Sequence, residues 1–159
     1  MIIVAIPVKN NLKWTAPLVD QLLLGDDIDQ LWVYDHGSTD ETKYWVENQM
    51  RFYSKLKYVD ASSMKFYEMW NDMIRKSADI GNVKLAILNN DIRLPHMAIK
   101  TMADNMGSYK ILTIDTERSS FEPIENVHAE EFKNWWFRVG WAFMVDADFW
   151  KKEEFAIDP

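Results

Sequence analysis

LWVYDHGSTD, residues 31–40, decides how this chain is read. Leu31, Trp32, Val33 and Tyr34 form a short apolar run suited to a strand covered on both faces, and Asp35-His36-Gly37-Ser38-Thr39-Asp40 supplies turn chemistry immediately after it. Ser38 and Glu41 then fit a capping box that opens a helix. A strand running through a polar turn into a helix is a repeating unit of an α/β fold.

Outward from this segment the same unit recurs. Residues 2–7 are a continuously apolar run rich in β-branched residues that Pro7 closes, followed by the polar loop Lys9-Asn10-Asn11. Residues 14–24 place Leu18, Val19, Leu22 and Leu23 at helical spacing, and Gly25 ends that helix. Residues 56–59 form a weaker third strand. Phe66, Met69, Trp70, Met73 and Ile74 then mark one apolar helix face. A fourth strand covers 84–88, a helix 95–106 and a further strand 111–114. Residues 137–145 are an apolar run before a last helix that Asp146 caps. Residues 115–136 show no regular period, and an irregular segment of about 20 residues in a compact domain is expected to be either functional, here on the acceptor side, or mobile. Strands alternating with helices at these intervals predict right-handed crossovers and a single domain over 1–159: a Rossmann-like, doubly wound, mostly parallel sheet flanked by helices.

Composition narrows the partners. The formal net charge is −7 over 159 residues, which would repel a phosphate backbone and argues against nucleic acid. The chain has no cysteine, which excludes disulfides and thiol chemistry and fits a cytoplasmic protein. No stretch approaches the about 20 apolar residues of a transmembrane helix. His36, His96 and His128 lack zinc-site spacing. Homo-oligomerisation is compatible with the sequence.

In an open parallel sheet, ligands bind outside the carboxyl ends of the strands. Three polar clusters fall there: Lys9-Asn10-Asn11, Asp35-His36-Gly37-Ser38 and Asn89-Asn90-Asp91. A lone strand-end Asp is ordinarily a turn residue. Three clusters on one edge favour a binding site.

IPVKNN, VYDHGSTDET, LAILNNDIRLP and GWAFMVDADFWKKEEFAID, in this order, resemble the successive motifs of family 2 glycosyltransferases with the GT-A fold. The resemblance implies transfer of a sugar from a nucleoside-diphosphate-sugar, UDP- or dTDP-linked, to an acceptor hydroxyl on a glycan, lipid or protein, with Mn2+ or Mg2+ as cofactor. It implies that Pro7 and Val8 line the base, that Asp35 accepts the imide hydrogen bond, and that Asn10 and Gly37 complete this side of the nucleotide site. An ionised carboxylate is acceptor-only and selects a base edge bearing an N–H. The NND variant of the DxD motif leaves Asp91 to hold the cation, with Asn89 and Asn90 toward ribose or phosphate. Asn71 lies in the helix whose family counterpart carries an Asn near the diphosphate, although Asp72-Met73 follows it where the family has NxG. Arg75 and Lys76 are as well explained by a solvated helix face as by phosphate contact.

The chain departs from the family at the general base. Inverting members use an acidic residue in an ED element beyond an FDE-like segment, and this sequence ends at Phe155-Ala156-Ile157-Asp158-Pro159. Asp158 and Asp115 are the candidate catalytic residues. A chain cut short, a relocated base, a retaining mechanism and lost activity all accommodate this departure. The short length fits a compact bacterial or phage gene. Trp141 reads as core, whereas Trp135 and Trp136 are open between core and a sugar platform. The alternative to a transferase is a non-catalytic nucleotide- or sugar-binding module. IPVKNN contains no glycine, which argues against both a dinucleotide oxidoreductase and a sugar nucleotidylyltransferase.

Overall fold

The structure, a computed structural model, describes residues 1–25, 28–107, 110–113 and 142–152. Six strands form one sheet: β1 (Ile2–Val8), β2 (Gln30–Asp35), β3 (Leu56–Asp60), β4 (Lys84–Leu88), β5 (Ile111–Thr113) and β6 (Ala142–Asp146). Their spatial order is β3-β2-β1-β4-β6-β5. The first four run parallel, and β6 lies antiparallel to both β4 and β5. The helices are α1 (Leu12–Leu24), α2 (Thr42–Gln49), α3 (Phe66–Ile80), α4 (Ala98–Asn105) and α5 (Ala147–Lys152). No helix among the described residues is long and apolar enough to cross a membrane.

Alternation along each strand divides the core in two. Val4, Ile6, Leu31, Val33, Ala86 and Leu88 face α1, α2 and α4, meeting Leu18, Leu22, Val46 and Ile99. Ile3, Ala5, Trp32, Tyr34, Leu85 and Ile87 face α3 and α5, meeting Met69, Trp70, Met73 and Trp150. Both faces of the parallel strands are therefore apolar, as their continuous hydrophobic runs require. Each such aliphatic side chain contributes about 1.5–3 kcal/mol on burial. Trp70 fills the centre of the second layer against Phe143, ring centroids 5.1 Å apart, and truncating it to Ala would cost about 3–5 kcal/mol.

Three local expectations are altered. Pro7 does not close its strand: β1 runs on to Val8, paired with Asp35. What ends before Pro7 is the β1–β4 ladder, whose last partners are Ala5 and Ile87. Proline has no N–H to give a ladder, so it is accommodated where one neighbour has been lost. The Ser38–Glu41 capping box does not form. Instead the Ser38 N–H donates to Asp35 Oδ1 (2.7 Å), and Asp40 Oδ1 accepts from the N–H (3.0 Å) and hydroxyl of Thr42 at the start of α2. Carboxylates nearer in the turn outcompete the expected pair. The helix expected from Pro95 begins at Ala98, after Met97 adopts a left-handed conformation with φ 63°. The cap expected at Asp146 is present, its Oδ1 accepting from the Phe149 N–H at 3.1 Å.

Candidate functional site

The strand order reverses direction at β1: β2 and β3 lie to one side of it and β4 to the other. Because the β1–β4 ladder stops at Ala5 and Ile87, the two strands are not paired with each other at their carboxyl ends, where Pro7, Val8, Leu88 and Asn89 stand. This is the topological switch point at which an open α/β sheet offers a crevice to ligands. The three polar clusters border it.

The loops after β1 and β2 are tied together. Asn10 and Asn11 both have left-handed backbones, with φ 61° and 63°, a conformation that Asn tolerates better than most residues. The Asn10 N–H donates to Ser38 Oγ at 2.7 Å, and Asn10 Oδ1 accepts from the N–H groups of Thr39 (2.7 Å) and Asp40 (3.3 Å). Asp40 Oδ2 in turn accepts from the Leu12 N–H at 3.2 Å. Gly37, at φ 75°, lets the turn pass beside Ser62, whose Cβ would lie 3.4 Å from an added Cβ. The His36 N–H donates to the Val8 carbonyl, and its Nε2 lies 2.7 Å from the Met64 carbonyl oxygen, which fastens the β3–α3 connection to the same edge.

Asp35 is buried, with 2% exposure. Its Oδ1 accepts from the Ser38 N–H at 2.7 Å and its Oδ2 from the Tyr58 hydroxyl at 2.9 Å, which offsets the cost of burying the carboxylate. A carboxylate offers about four lone-pair positions, so each oxygen keeps acceptor capacity. Burial, then the neighbouring Asp35, pushes the Tyr58 hydroxyl well above the usual tyrosine range, so it stays a proton donor.

On the other side of the crevice, Asn90 Nδ2 donates to Thr15 Oγ1 at 2.9 Å, which anchors the end of β4 to the first turn of α1. Thr15 is fully buried and its hydroxyl donates to the Asn11 carbonyl at 3.2 Å. Asn89, which precedes Asn90 in the chain, is half-buried. Asp91 is exposed, and among the described residues no side-chain hydrogen bond or ion pair engages it. No group of three His, Cys, Asp or Glu that could hold a metal ion occurs among the described residues. A hard divalent ion can accept one protein carboxylate when phosphate oxygens and waters complete its shell, and Asp91 fits that requirement.

Asn71 sits half-buried on α3, next to a network in which Asp72 Oδ2 accepts from the Tyr34 hydroxyl at 3.0 Å and pairs with Lys76 at 2.7 Å. Burial and then Asp72 raise the Tyr34 hydroxyl above its ordinary range. Lys76 is thereby held at Asp72, while Arg75 is exposed. Asp115, Asp158, His128, Trp135, Trp136, Trp141 and the segment 115–136 lie outside the described residues. Sequence reasoning missed Tyr58 and Thr15. The signal for Tyr58 was its place in a strand adjoining Asp35, and for Thr15 a hydroxyl in the first turn after the Asn-Asn loop.

No family model matches the sequence, and no curated protein matches it. Solved structures do match the fold. The Staphylococcus aureus TarS fragment 1–349 superposes with a TM-score of 0.70 at 17% identity, covering 99% of this chain and 50% of that one. The mannosyltransferase PcManGT from Pyrobaculum calidifontis, in complex with GDP-Man and Mn2+, gives 0.63 at 15% identity, covering 96% and 46%. Glucosyl-3-phosphoglycerate synthase from Mycobacterium tuberculosis, in complex with Mn2+, UDP and glucosyl-3-phosphoglycerate, gives 0.62 at 15% identity, covering 93% and 57%. This chain thus has a GT-A-like glycosyltransferase fold and spans about half the length of these structures.

Proposed function

We propose that the chain binds a nucleoside-diphosphate-sugar, UDP- or dTDP-linked, across the carboxyl edge of β1, β2 and β4 and transfers the sugar to an acceptor hydroxyl. The observation that carries this reading is the coincidence of all three polar clusters with the β1/β4 switch point. The similar structures support it: TarS has been solved with UDP-GlcNAc, PcManGT with GDP-Man and Mn2+, and the Mycobacterium synthase with UDP and Mn2+.

In this reading Pro7 and Val8 form the floor under the base and Asp35 accepts its imide N–H. Asn10 and Gly37 hold the two loops at the spacing the nucleotide needs. Asn89 and Asn71 hydrogen-bond ribose or phosphate, Asn90 fixes the end of β4, and Asp91 holds Mn2+ or Mg2+. The cation, when bound, offsets the negative charge that grows on the diphosphate as the glycosidic bond breaks. Asp115 and Asp158 remain the candidates to take the proton from the acceptor hydroxyl.

Calorimetry with a panel of nucleotide-sugars, with and without Mn2+, tests the donor half. Preferential, Mn2+-strengthened binding of a uridine or thymidine donor is expected. Absence of nucleotide binding across the panel would overturn the reading. Product analysis of the same panel tests transfer: an Asp115→Asn or Asp158→Asn variant that binds donor normally but makes no product identifies the base. Tight binding with no turnover by the unmodified chain would instead make it a binding module.

A further inference from the structure

The reading of Asp35 as the group that meets the base leaves unexplained why a tyrosine is spent on it. Asp35 has two donors among the described residues, one at each oxygen. The Ser38 N–H is part of the turn, and any residue at 38 except proline would supply it. The Tyr58 hydroxyl is a side-chain choice. It is delivered by β3, where register pairs Tyr58 with Val33 and alternation sets Tyr58, Val33 and Asp35 on the same sheet face. Lys43 Nζ lies 5.7 Å from the Tyr58 ring centroid, which helps to hold the ring in place.

We infer that Tyr58 is a positioning residue that sets base selectivity by fixing Asp35 as a hydrogen-bond acceptor at the nucleotide site. This rests on the donor-site reading above. A carboxylate at 2% exposure has little water to bond it, so its hydrogen bonds and its orientation come from protein donors. An ionised Asp35 accepts only, which favours uracil, thymine or guanine, whose Watson–Crick edges offer an imide-type N–H. It disfavours cytosine and adenine, which present a bare ring nitrogen there. Without the Tyr58 donor, Asp35 is freer to rotate. Rotation takes its acceptor oxygens off the line of the imide N–H, so discrimination falls even where overall affinity is partly kept. A tyrosine that merely packs would affect all nucleotides alike.

The test is a double-mutant cycle in base preference, reading UDP and CDP affinities by calorimetry for the unmodified chain, Tyr58→Phe, Asp35→Asn and the pair, with melting temperatures measured alongside. Tyr58→Phe removes a single oxygen and is expected to lower the UDP:CDP affinity ratio by about tenfold, the scale of one lost hydrogen bond to a charged group. In the Asp35→Asn background the same change should leave the ratio where Asp35→Asn alone has set it. If Tyr58→Phe weakens UDP and CDP equally, or leaves the ratio intact while Asp35→Asn collapses it, the inference about Tyr58 fails and Asp35 keeps its role. If Asp35→Asn leaves the ratio unchanged, the assignment of Asp35 to the base fails.

Discussion

Between β1 and β2 the carboxyl edge is cross-linked from loop to loop, with Asn10, Ser38, Thr39, Asp40 and Leu12 in one hydrogen-bonded belt. At the end of β4 one side chain, Asn90, is anchored, and Asp91 projects into solvent. The first arrangement is complete without a ligand. The second is left open, which suits the proposed role of Asp91, whose cation and diphosphate would come from outside the protein. The contrast separates a preorganised half, whose loss should be read in stability, from a ligand-completed half, whose loss should be read in affinity.

The largest effect that would break this contrast is expected at Asp91. Asp91→Ala should reduce the Mn2+-dependent gain in nucleotide affinity by about tenfold to a hundredfold. Its melting behaviour should stay within about 0.5 kcal/mol of the unmodified chain, because an exposed side chain with no partner among the described residues carries little fold energy. Calorimetry with and without Mn2+ and a urea titration read the two quantities. Full metal-dependent affinity in this variant would remove Asp91 from the site.

Asn10 should behave in the opposite way. Asn10→Ala puts an alanine at φ 61° and removes the acceptor for two loop N–H groups, for a loss of about 2 kcal/mol of stability. Asn10→Gly should recover the conformational part, since glycine adopts a left-handed backbone without penalty, and leave only the hydrogen-bond loss. Equal urea midpoints for Asn10→Ala and the unmodified chain would show that the belt does not hold the edge.

These contrasts mark what could be read from the sequence. The alternation of strands and helices was legible because burial on both faces of a parallel sheet writes continuous apolar runs, and helices write a 3.6-residue period. The direction of β6 was not, since an apolar run is the same read either way along the sheet. Ser38 was given to a helix cap because local spacing suited it, but the structure engages it with Asp35 in the turn and with Asn10 across the edge. The belt joins residues 28 and more positions apart, and the Asn90–Thr15 bond spans 75. No local pattern encodes those distances. Tyr58 was hidden for a similar reason: its importance comes from lying beside Asp35 across two strands, in a run whose own hydrophobic signal is weak.

Thr15 tests the Asn90 anchor on the open half. Thr15→Val keeps the shape of the side chain and removes the hydroxyl that joins Asn90 to the Asn11 carbonyl, for an expected loss of about 1 kcal/mol in a urea titration. Nucleotide affinity should fall only a few fold, because Asp91 keeps its place in the chain after β4. An affinity loss as large as that of Asp91→Ala would mean that the open half is also preorganised, and the contrast would dissolve.

The smallest expected effect, at Asp40, is also the one that pH resolves. Burial pushes the Asp40 carboxyl up, but hydrogen bonds from the Thr42 hydroxyl, the Thr42 N–H and the Leu12 N–H outweigh it and hold the group below the usual carboxylate range. A group whose pKa is depressed by folding stabilises the folded chain above its unfolded pKa, about 3.9 for Asp, and loses that contribution as pH falls through its folded value. Asp40→Asn keeps one oxygen able to cap α2 and removes the charge near the helix amino terminus together with the acceptor for the exposed Leu12 N–H, so at neutral pH the loss should be about 0.5 kcal/mol. Below the folded pKa both side chains are neutral, and the two urea midpoints should converge. Asp60, held low by the Ser62 hydroxyl and N–H, is present in both chains and cancels from the difference. A gap that stayed constant from neutral to acidic pH would assign Asp40's contribution to the shape of its hydrogen bonds and not to its charge, and would leave the belt between β1 and β2 a neutral device.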